Sequence, residues 1–482
     1  MTSGRETAGY LPGPPLTERD AEWRAHGICF KTGPPGQIGV ELEWLVKDGS
    51  DPALPVDQQR VAAALDRLEA PQALPGGGRL TTEPGGQVEL SSAPAASLGG
   101  CVSATEDDLA ALRGALRPAD LLLVGQGMDP VRPPRRVLDQ PRYVAMEQFF
   151  DRAGPWGRMM MCSTASVQVC VDAGQEGPGP AGFRWRWHLL HAIGPVLVAA
   201  FANSPLRVGR PTGWKSTRQA IWSRLDPSRT RAPADAEPFT GIGASDGWPE
   251  HGDPRSAWVS YALDAEVMCV RQPGAACWDA PSGLTFRDWL RGAGERPPTA
   301  DDLTYHLSTL FPPVRPHGHL ELRMIDAQPD DGWIVPTAVV SALVDDPEAA
   351  QAAMAVAVDL WHGYWPVTRH QPAAGHWAGA GHRPSARPPT RGQPDNLWLR
   401  AARLGPGDPR LARAIRRCFE EAQASLGRRA APQPVRDAVS AFAERYVLRD
   451  RCPADDRLDE AWAAGLHPDQ HLDLDMSLEG HP

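Results

Sequence analysis

Lysine is nearly absent from this chain: Lys31, Lys47 and Lys215 are the only three among 49 basic side chains in 482 residues. Arginine supplies the rest of the positive charge, beside 47 Gly and 50 Pro, a composition that a high-GC coding bias produces. The formal net charge of −10 argues against a general nucleic-acid binder, which would carry a basic face. The eight cysteines (Cys29, Cys101, Cys162, Cys170, Cys269, Cys277, Cys418, Cys452) include no CxxC pair and no zinc-type spacing. Reduced thiols and a cytoplasmic site of action are expected. The N-terminus is polar and Pro-rich, without the pattern of a secretory leader. The longest apolar run, Leu189 to Phe201, falls short of the ~20 residues a membrane span needs and reads as a buried core helix. There is no internal repeat and no Gly-x-Gly-x-x-Gly strand–helix unit. Gly76–Gly78 lack the following Lys-Ser/Thr of a phosphate loop and read as a hairpin turn.

What remains is a globular chain, 42% hydrophobic and 22% charged. Residues 1–36 read as an N-terminal arm or helix. Strand-like segments follow at 38–46 and 86–92, with an amphipathic helix near 57–70 between them. A helix at 104–116 leads to the apolar strand "LLLVG" at 121–125. The segment 158–173, "RMMMCSTASVQVCVDA", alternates and reads as a strand, its Met159–Met161 run as core packing. A long helix near 184–203 ends at the breakers Asn203 and Pro205. Residues 207–300 are loop-like, with a short strand near 257–263, and "GHLELRMID" at 318–326 alternates again. The catalytic core is therefore placed at 37–335 and a helical C-terminal part at 336–465. A flexible loop at 366–394 and an acidic tail at 466–482 complete the division. The pattern is α+β with an antiparallel sheet, not doubly wound.

The chemistry lies in the strand faces. In "GVELEW", Glu41 and Glu43 share one face while Val40, Leu42 and Trp44 take the other. In "TEPGGQVELSS", Gln87, Glu89 and Ser91 lie opposite Val88 and Leu90. In "TASVQVCVD", Gln168 shares a face with Ser166 and Cys170; in "GHLELR", Glu321 pairs with Arg323. A solvated sheet face is the plain reading of any one of these. Such a face normally carries lysines to balance its acids. Here Glu41, Glu43, Glu83, Glu89 and Glu321 recur with Gln168 and no lysine. Converging carboxylates of this kind imply a divalent cation, and all-oxygen ligands indicate Mg²⁺ or Mn²⁺. Mg²⁺ held by carboxylates usually completes its shell with substrate phosphates, which points to nucleotide chemistry without a Walker loop.

The motifs "GVELEW", "TEPGGQVELSSAP", "RYVAMEQFF", "GRMMMCSTASVQVCVD", "RQAIWSRLDPSRT" and "HLSTLFPPVRPHGHLELRMID" occur in the order found in plant-type glutamate–cysteine ligases. The chain most resembles the actinobacterial branch of that carboxylate–amine ligase family, which makes γ-glutamylcysteine for ergothioneine. The resemblance covers roughly residues 36–335. It implies a curved antiparallel sheet similar to the catalytic fold of glutamine synthetase. It also implies a reaction in which ATP phosphorylates the γ-carboxylate of glutamate and the amine of cysteine displaces the phosphate. By the same resemblance, Glu41, Glu43, Glu83, Glu89, Gln168 and Glu321 hold two or three metal ions, with Glu41 and Arg323 catalytic. Arg323, read as the lone cation on the acidic face, would meet the transferred phosphoryl group. Arg218 and Arg229 match arginines that clamp amino-acid carboxylates, a task suited to a bidentate guanidinium. Either could instead pair with Asp226. Arg142 and Tyr143 match family positions and are expected among the substrate-binding residues with Trp222, which by itself reads more readily as a core aromatic than as an adenine or substrate platform.

Cys170 departs from the family pattern, where asparagine is expected. His317 and His319 flank a glycine before Glu321 and read as turn and strand polarity rather than metal ligands. The expected partners are glutamate, cysteine and ATP, with no nucleic acid and no membrane, in a monomer or weak homo-oligomer. Two alternatives stay open: a ligase joining glutamate to a different amine, and a non-catalytic Mg-nucleotide scaffold. Loops at 207–255 and 366–394 are candidates for a lid.

Overall fold

The computed structural model describes residues 13–33, 36–68, 70, 72–233, 253–272, 274–364, 396–466, 472 and 474. The expected loop at 366–394 and nearly all of the tail at 466–482 lie outside these residues, as does 234–252 of the other lid candidate.

Nine strands are described: β1 (Ile38–Asp48), β2 (Arg79–Thr82), β3 (Val88–Ser91), β4 (Leu121–Val124), β5 (Ser166–Asp172), β6 (Leu206–Arg207), β7 (Arg210–Pro211), β8 (Val314–Pro316) and β9 (His319–Asp326). Seven form one open antiparallel sheet in the order β2-β3-β1-β5-β9-β8, with β4 paired to the far end of β1. β6 and β7 form a separate small hairpin. The α+β class expected from the strand pattern is the observed one.

The sheet is two-faced because its strands alternate. Val40, Leu42, Trp44, Val88, Leu90, Val167, Val169, Val171, Leu320, Leu322 and Met324 all enter the larger hydrophobic cluster. That cluster continues into the C-terminal helices at Ile334–Asp345, Pro347–Tyr364 and Pro409–Arg428, through Val339, Leu343, Val356 and Phe419. The sheet and the helical part thus share one core. At about 25 cal/mol per Å² of apolar surface buried, that shared interior is the main source of stability. Among the described residues no helix is long and apolar enough to cross a membrane; the run at Leu189–Phe201 belongs almost wholly to the core helix Phe183–Ala200.

A smaller cluster is rich in sulfur: Met128, Met146, Met159, Met160, Met161, Cys162, Met268 and Cys269, with Phe149, Phe150 and Phe311. It includes helices Pro141–Asp151, Trp156–Ser163 and Thr217–Trp222, the elements that border the polar face of the sheet.

Two elements differ from the sequence reading. Residues 156–163 are helical, and only Ser166–Asp172 is strand. Unbranched methionines adapt to a helix packed on several sides, and the β-branched alternation begins only at Val167. The expected strand near 257–263 is a helix, Pro254–Asp264. Asp253 caps it by accepting from the Arg255 N–H at 3.2 Å, and Pro254 occupies the first turn. These start signals outweigh the strand propensity of Trp258, Val259 and Tyr261.

Candidate active site

The register brings the polar residues of six strands side by side. Glu43 lies opposite Glu89, Glu41 opposite Gln168, and Cys170 opposite Glu321. Thr81 on β2 faces Glu89, and Arg315 on β8 faces Glu321. A one-residue slip in any strand would turn its carboxylates into the core, so the hydrophobic faces behind them fix the constellation.

Glu43 accepts from the Ser166 backbone N–H and from Gln168 Nε2, both at 2.9 Å. Glu89 accepts from Thr81 Oγ1 at 2.8 Å and Ser91 Oγ at 3.3 Å. Among the described residues, none of Glu41, Glu43, Glu83 or Glu89 forms an ion pair. Burial first, then Glu321 and Glu89, push the Glu41 carboxyl up to about 8. Burial, Glu89 and Glu43 push Glu83 up to about 8 as well. Glu43 is raised by burial and by Glu89. Burial and neighbouring carboxylates therefore oppose ionisation of Glu41, Glu43 and Glu83 along one face.

At the other end of the face the charge is balanced. Arg315 donates to both oxygens of Glu321, Nε at 3.0 Å and Nη2 at 2.8 and 3.0 Å. Arg323 Nη1 donates to Glu321 and, at 2.5 Å, to Gln168 Oε1. Burial opposes ionisation of Glu321, yet the two guanidiniums outweigh it and hold the carboxyl at about 2. Arg323 is therefore not the lone cation expected there. Arg315 was missed because β8 is three residues long and shows no apolar alternation. A signal existed: "RPHGHLE" reads as a tight turn around Gly318, which has φ +80, and that turn sets Arg315 against Glu321.

Arg142 and Tyr143, on helix Pro141–Asp151, stand beside Glu83: the charge of Arg142 favours the Glu83 carboxylate, and Glu83 raises the Tyr143 phenol. Burial and Glu83 carry that phenol up to about 12. The Arg142 guanidinium lies over the Tyr305 ring at 5.4 Å. Arg218 is buried at the end of β9, where its Nη2 donates to the Arg323 carbonyl at 2.9 Å, and its guanidinium lies 5.5 Å from the Trp222 ring centroid. Trp222 is half-buried and edge-on to Phe311.

Arg229 is not brought to this face. It is fully buried, with Nε donating to Asp226 at 3.0 Å, Nη1 to the Thr309 carbonyl at 2.8 Å, and Nη2 to the Glu266 carbonyl. Its donors tie three loops together, so the Asp226 pairing weighed from sequence is the one observed. His317 and His319 form the turn between β8 and β9, linked by a 2.8 Å backbone bond.

Among the described residues no three His, Cys, Asp or Glu side chains close around one point as an enclosed metal centre. The acids line a face instead. Their chemistry nonetheless fits hard divalent cations: the donors are all oxygen, and their mutual repulsion is relieved by a cation. Glu41, Glu43, Glu83, Glu89 and Gln168 are the residues that would hold such ions; Glu321 has both oxygens taken by arginine as it stands.

A pH-dependent stability follows. Glu41 and Glu83 bind a proton more tightly in the fold than at their ordinary value of 4.5. Their contribution is complete below pH 4.5 and is lost as pH rises through about 8. The metal-free chain is expected to lose melting temperature from about pH 5.5 to 8.5, and Mg²⁺ should restore several degrees at the higher pH and little at the lower. A Mg²⁺ effect equal at both pH values would contradict the shared acidic face.

An open antiparallel sheet with an acid-lined face, backed by a helical core, defines an α+β protein of the carboxylate-face class. The chain belongs to the glutamate-cysteine ligase family 2 (GCS2), whose family model matches residues 37–375. It is 37% identical over 453 residues to the glutamate–cysteine ligase EgtA of Mycobacterium tuberculosis, covering 92% of this chain and 90% of that one. A chloroplastic glutamate–cysteine ligase of Medicago truncatula is 32% identical over 259 residues, 52% of this chain and 47% of that one. Among solved structures, a Francisella tularensis glutamate–cysteine ligase in complex with AMP gives a TM-score of 0.45 at 12% identity, covering 90% of this chain and 86% of that one.

Proposed function

We propose that this chain joins the γ-carboxylate of L-glutamate to the amine of L-cysteine, with ATP cleaved to ADP and phosphate. Its family membership and its likeness to EgtA over nine-tenths of both chains support this reading. The observation that carries it is the acidic face, ending in the Arg315–Glu321–Arg323 cluster. A γ-carboxylate oxygen attacks the terminal phosphorus of ATP and ADP leaves. The cysteine nitrogen then attacks the acyl carbon, the C–O bond breaks, and phosphate departs with the carboxylate oxygen while the amine loses a proton.

Glu41, Glu43, Glu83, Glu89 and Gln168 would hold two or three Mg²⁺ or Mn²⁺ ions, and Glu321 would join them on releasing an arginine contact. When bound, these ions offset the charge of the ATP phosphates and of the transferring phosphoryl group. Arg323 supplies fixed positive charge where the phosphoryl oxygens develop theirs, in a setting that needs no reorganisation. Arg315 binds both oxygens of Glu321 and fixes that carboxylate, which with Gln168 accepts from Arg323. Arg218, Arg142, Tyr143 and Trp222 form the side that receives the amino acids; Arg229 supports that side from beneath. The γ-glutamylcysteine formed would serve ergothioneine biosynthesis. A cytoplasmic site of action is supported by eight cysteines, all unpaired.

The test is phosphate release from ATP and Mg²⁺ by the purified full chain. Release is expected only with glutamate and cysteine together. Replacing cysteine with serine, alanine or 2-aminobutyrate should lower it; an equal rate with any of these would contradict cysteine as the acceptor. Release without glutamate would contradict the ligase reading altogether.

A further inference from the structure

Asp326 ends β9, buried and directly opposite Ser166 on β5. Its Oδ2 accepts from the Asn203 backbone N–H at 2.9 Å and from Ser204 Oγ at 2.7 Å; its Oδ1 accepts from Ser216 Oγ at 2.9 Å. Arg218 Nη1 stands 3.9 Å from the same Oδ1. Both hydroxyls then act on the segment that carries Arg218. Ser204 Oγ accepts the Arg218 backbone N–H at 3.2 Å, and Ser216 Oγ caps helix Thr217–Trp222 by accepting the Gln219 N–H at 3.2 Å.

The guanidinium so placed is 2% exposed. Its Nη2 is used by the Arg323 carbonyl, while Nε and Nη1 make no hydrogen bond. Leaving charged donors idle in a buried setting is costly, and a ligand that takes them removes the cost. The carbonyl that takes Nη2 belongs to Arg323 on β9, the strand that also carries Glu321 of the acid face.

We infer that Asp326 is a positioning residue: through Ser204, Ser216 and the guanidinium itself it fixes Arg218 so that its two idle donors meet the carboxylate of one amino-acid substrate. The identity of that ligand rests on the proposed function; the placement of Arg218 does not.

Two readouts separate these. Phenylglyoxal labelling, followed by peptide mass spectrometry of the full chain, reports on Arg218 with no substrate present. Asp326→Asn puts an amide where three donors point, and is expected to speed labelling of Arg218 about tenfold, the factor for loss of one charge-assisted contact. Arg229, buried but held by other partners, serves as the internal control and should not change. Unchanged labelling at Arg218 would overturn the inference. If both arginines react faster, the fold has loosened and Ser204→Ala decides: a selective gain at Arg218 supports the placement, and none overturns it.

The second readout is steady-state kinetics. Asp326→Asn should raise KM for glutamate or for cysteine about tenfold and KM for ATP less than about twofold. In Arg218→Lys the same substitution should add little, because the two act as a unit; additive effects would overturn the inference. A wild-type chain without glutamate- and cysteine-dependent phosphate release would contradict the functional reading and leave the labelling result to judge the placement alone.

Discussion

Glu41→Gln is expected to lower kcat by about three orders of magnitude, the loss that follows when a metal-holding carboxylate gives up its charge and several kcal/mol of transition-state stabilisation go with it. The fold should not suffer. The glutamine has the same shape, and the native environment already resists ionisation of Glu41, whose carboxyl is pushed up to about 8 by burial, Glu321 and Glu89. Removing that charge should leave the melting temperature of the metal-free chain unchanged or higher near pH 8, while the stabilisation by Mg²⁺ shrinks. An inactive variant that is no less stable separates a functional carboxylate from a structural one. Near-normal kcat in Glu41→Gln would show that the acidic face does not hold the catalytic metal.

The second large effect is expected at Arg323. Its guanidinium bridges Glu321 and Gln168, and burial has not made it give up its proton, because Glu321, Glu41 and Glu43 all favour the charged form. Arg323→Gln should lower kcat by about 10²–10³, the range seen when a preorganised donor at a developing charge is removed. KM for ATP should move far less, since the interaction strengthens only as the phosphoryl group transfers. Arg323→Lys should recover only part of the loss: Nη1 alone makes the contacts to Glu321 and Gln168, and an ammonium lacks the guanidinium's further N–H donors for the phosphoryl oxygens. A uniform rise in every KM at constant kcat would make Arg323 a binding residue only.

Both residues could be picked out from the sequence because they lie on long alternating strands. Where β1 reads Glu-Leu-Glu-Trp, one face is polar and the other apolar over its length, and β9 repeats the pattern at Leu320–Met324. The core behind the sheet then fixes which side chains face together. Arg315 escaped notice because a three-residue edge strand has no period to read. Its partner becomes visible only when the turn at Gly318 is folded back. Without Arg315 the acid face had Arg323 as its lone cation, whereas the structure divides it into a balanced end at Glu321 and an unbalanced one at Glu41, Glu43, Glu83 and Glu89.

Other features were hidden for different reasons. The run Met159–Met161 suits helix and strand alike, and only the packing of helix Trp156–Ser163 into the sulfur-rich cluster settles it. The helix at Pro254–Asp264 was announced by its cap, but aromatic and β-branched residues masked it. The separate fates of Arg218 and Arg229 could not be read from sequence at all. They lie eleven positions apart in similar company, and the difference is tertiary. Arg229 meets carbonyls from Thr309 and Glu266 and has its donors used, while Arg218 meets Asp326 and the end of β9 and keeps two idle.

An acidic face that directs ATP to the γ-carboxylate of glutamate before the amine arrives must transfer one carboxylate oxygen to phosphate. The most direct measurement follows the oxygen. With glutamate labelled by ¹⁸O in the γ-carboxylate, ATP, Mg²⁺ and cysteine, each inorganic phosphate released by the full chain should carry one labelled oxygen. Phosphate free of label, formed while γ-glutamylcysteine accumulates, would contradict the acyl-phosphate route and with it the role assigned to the face.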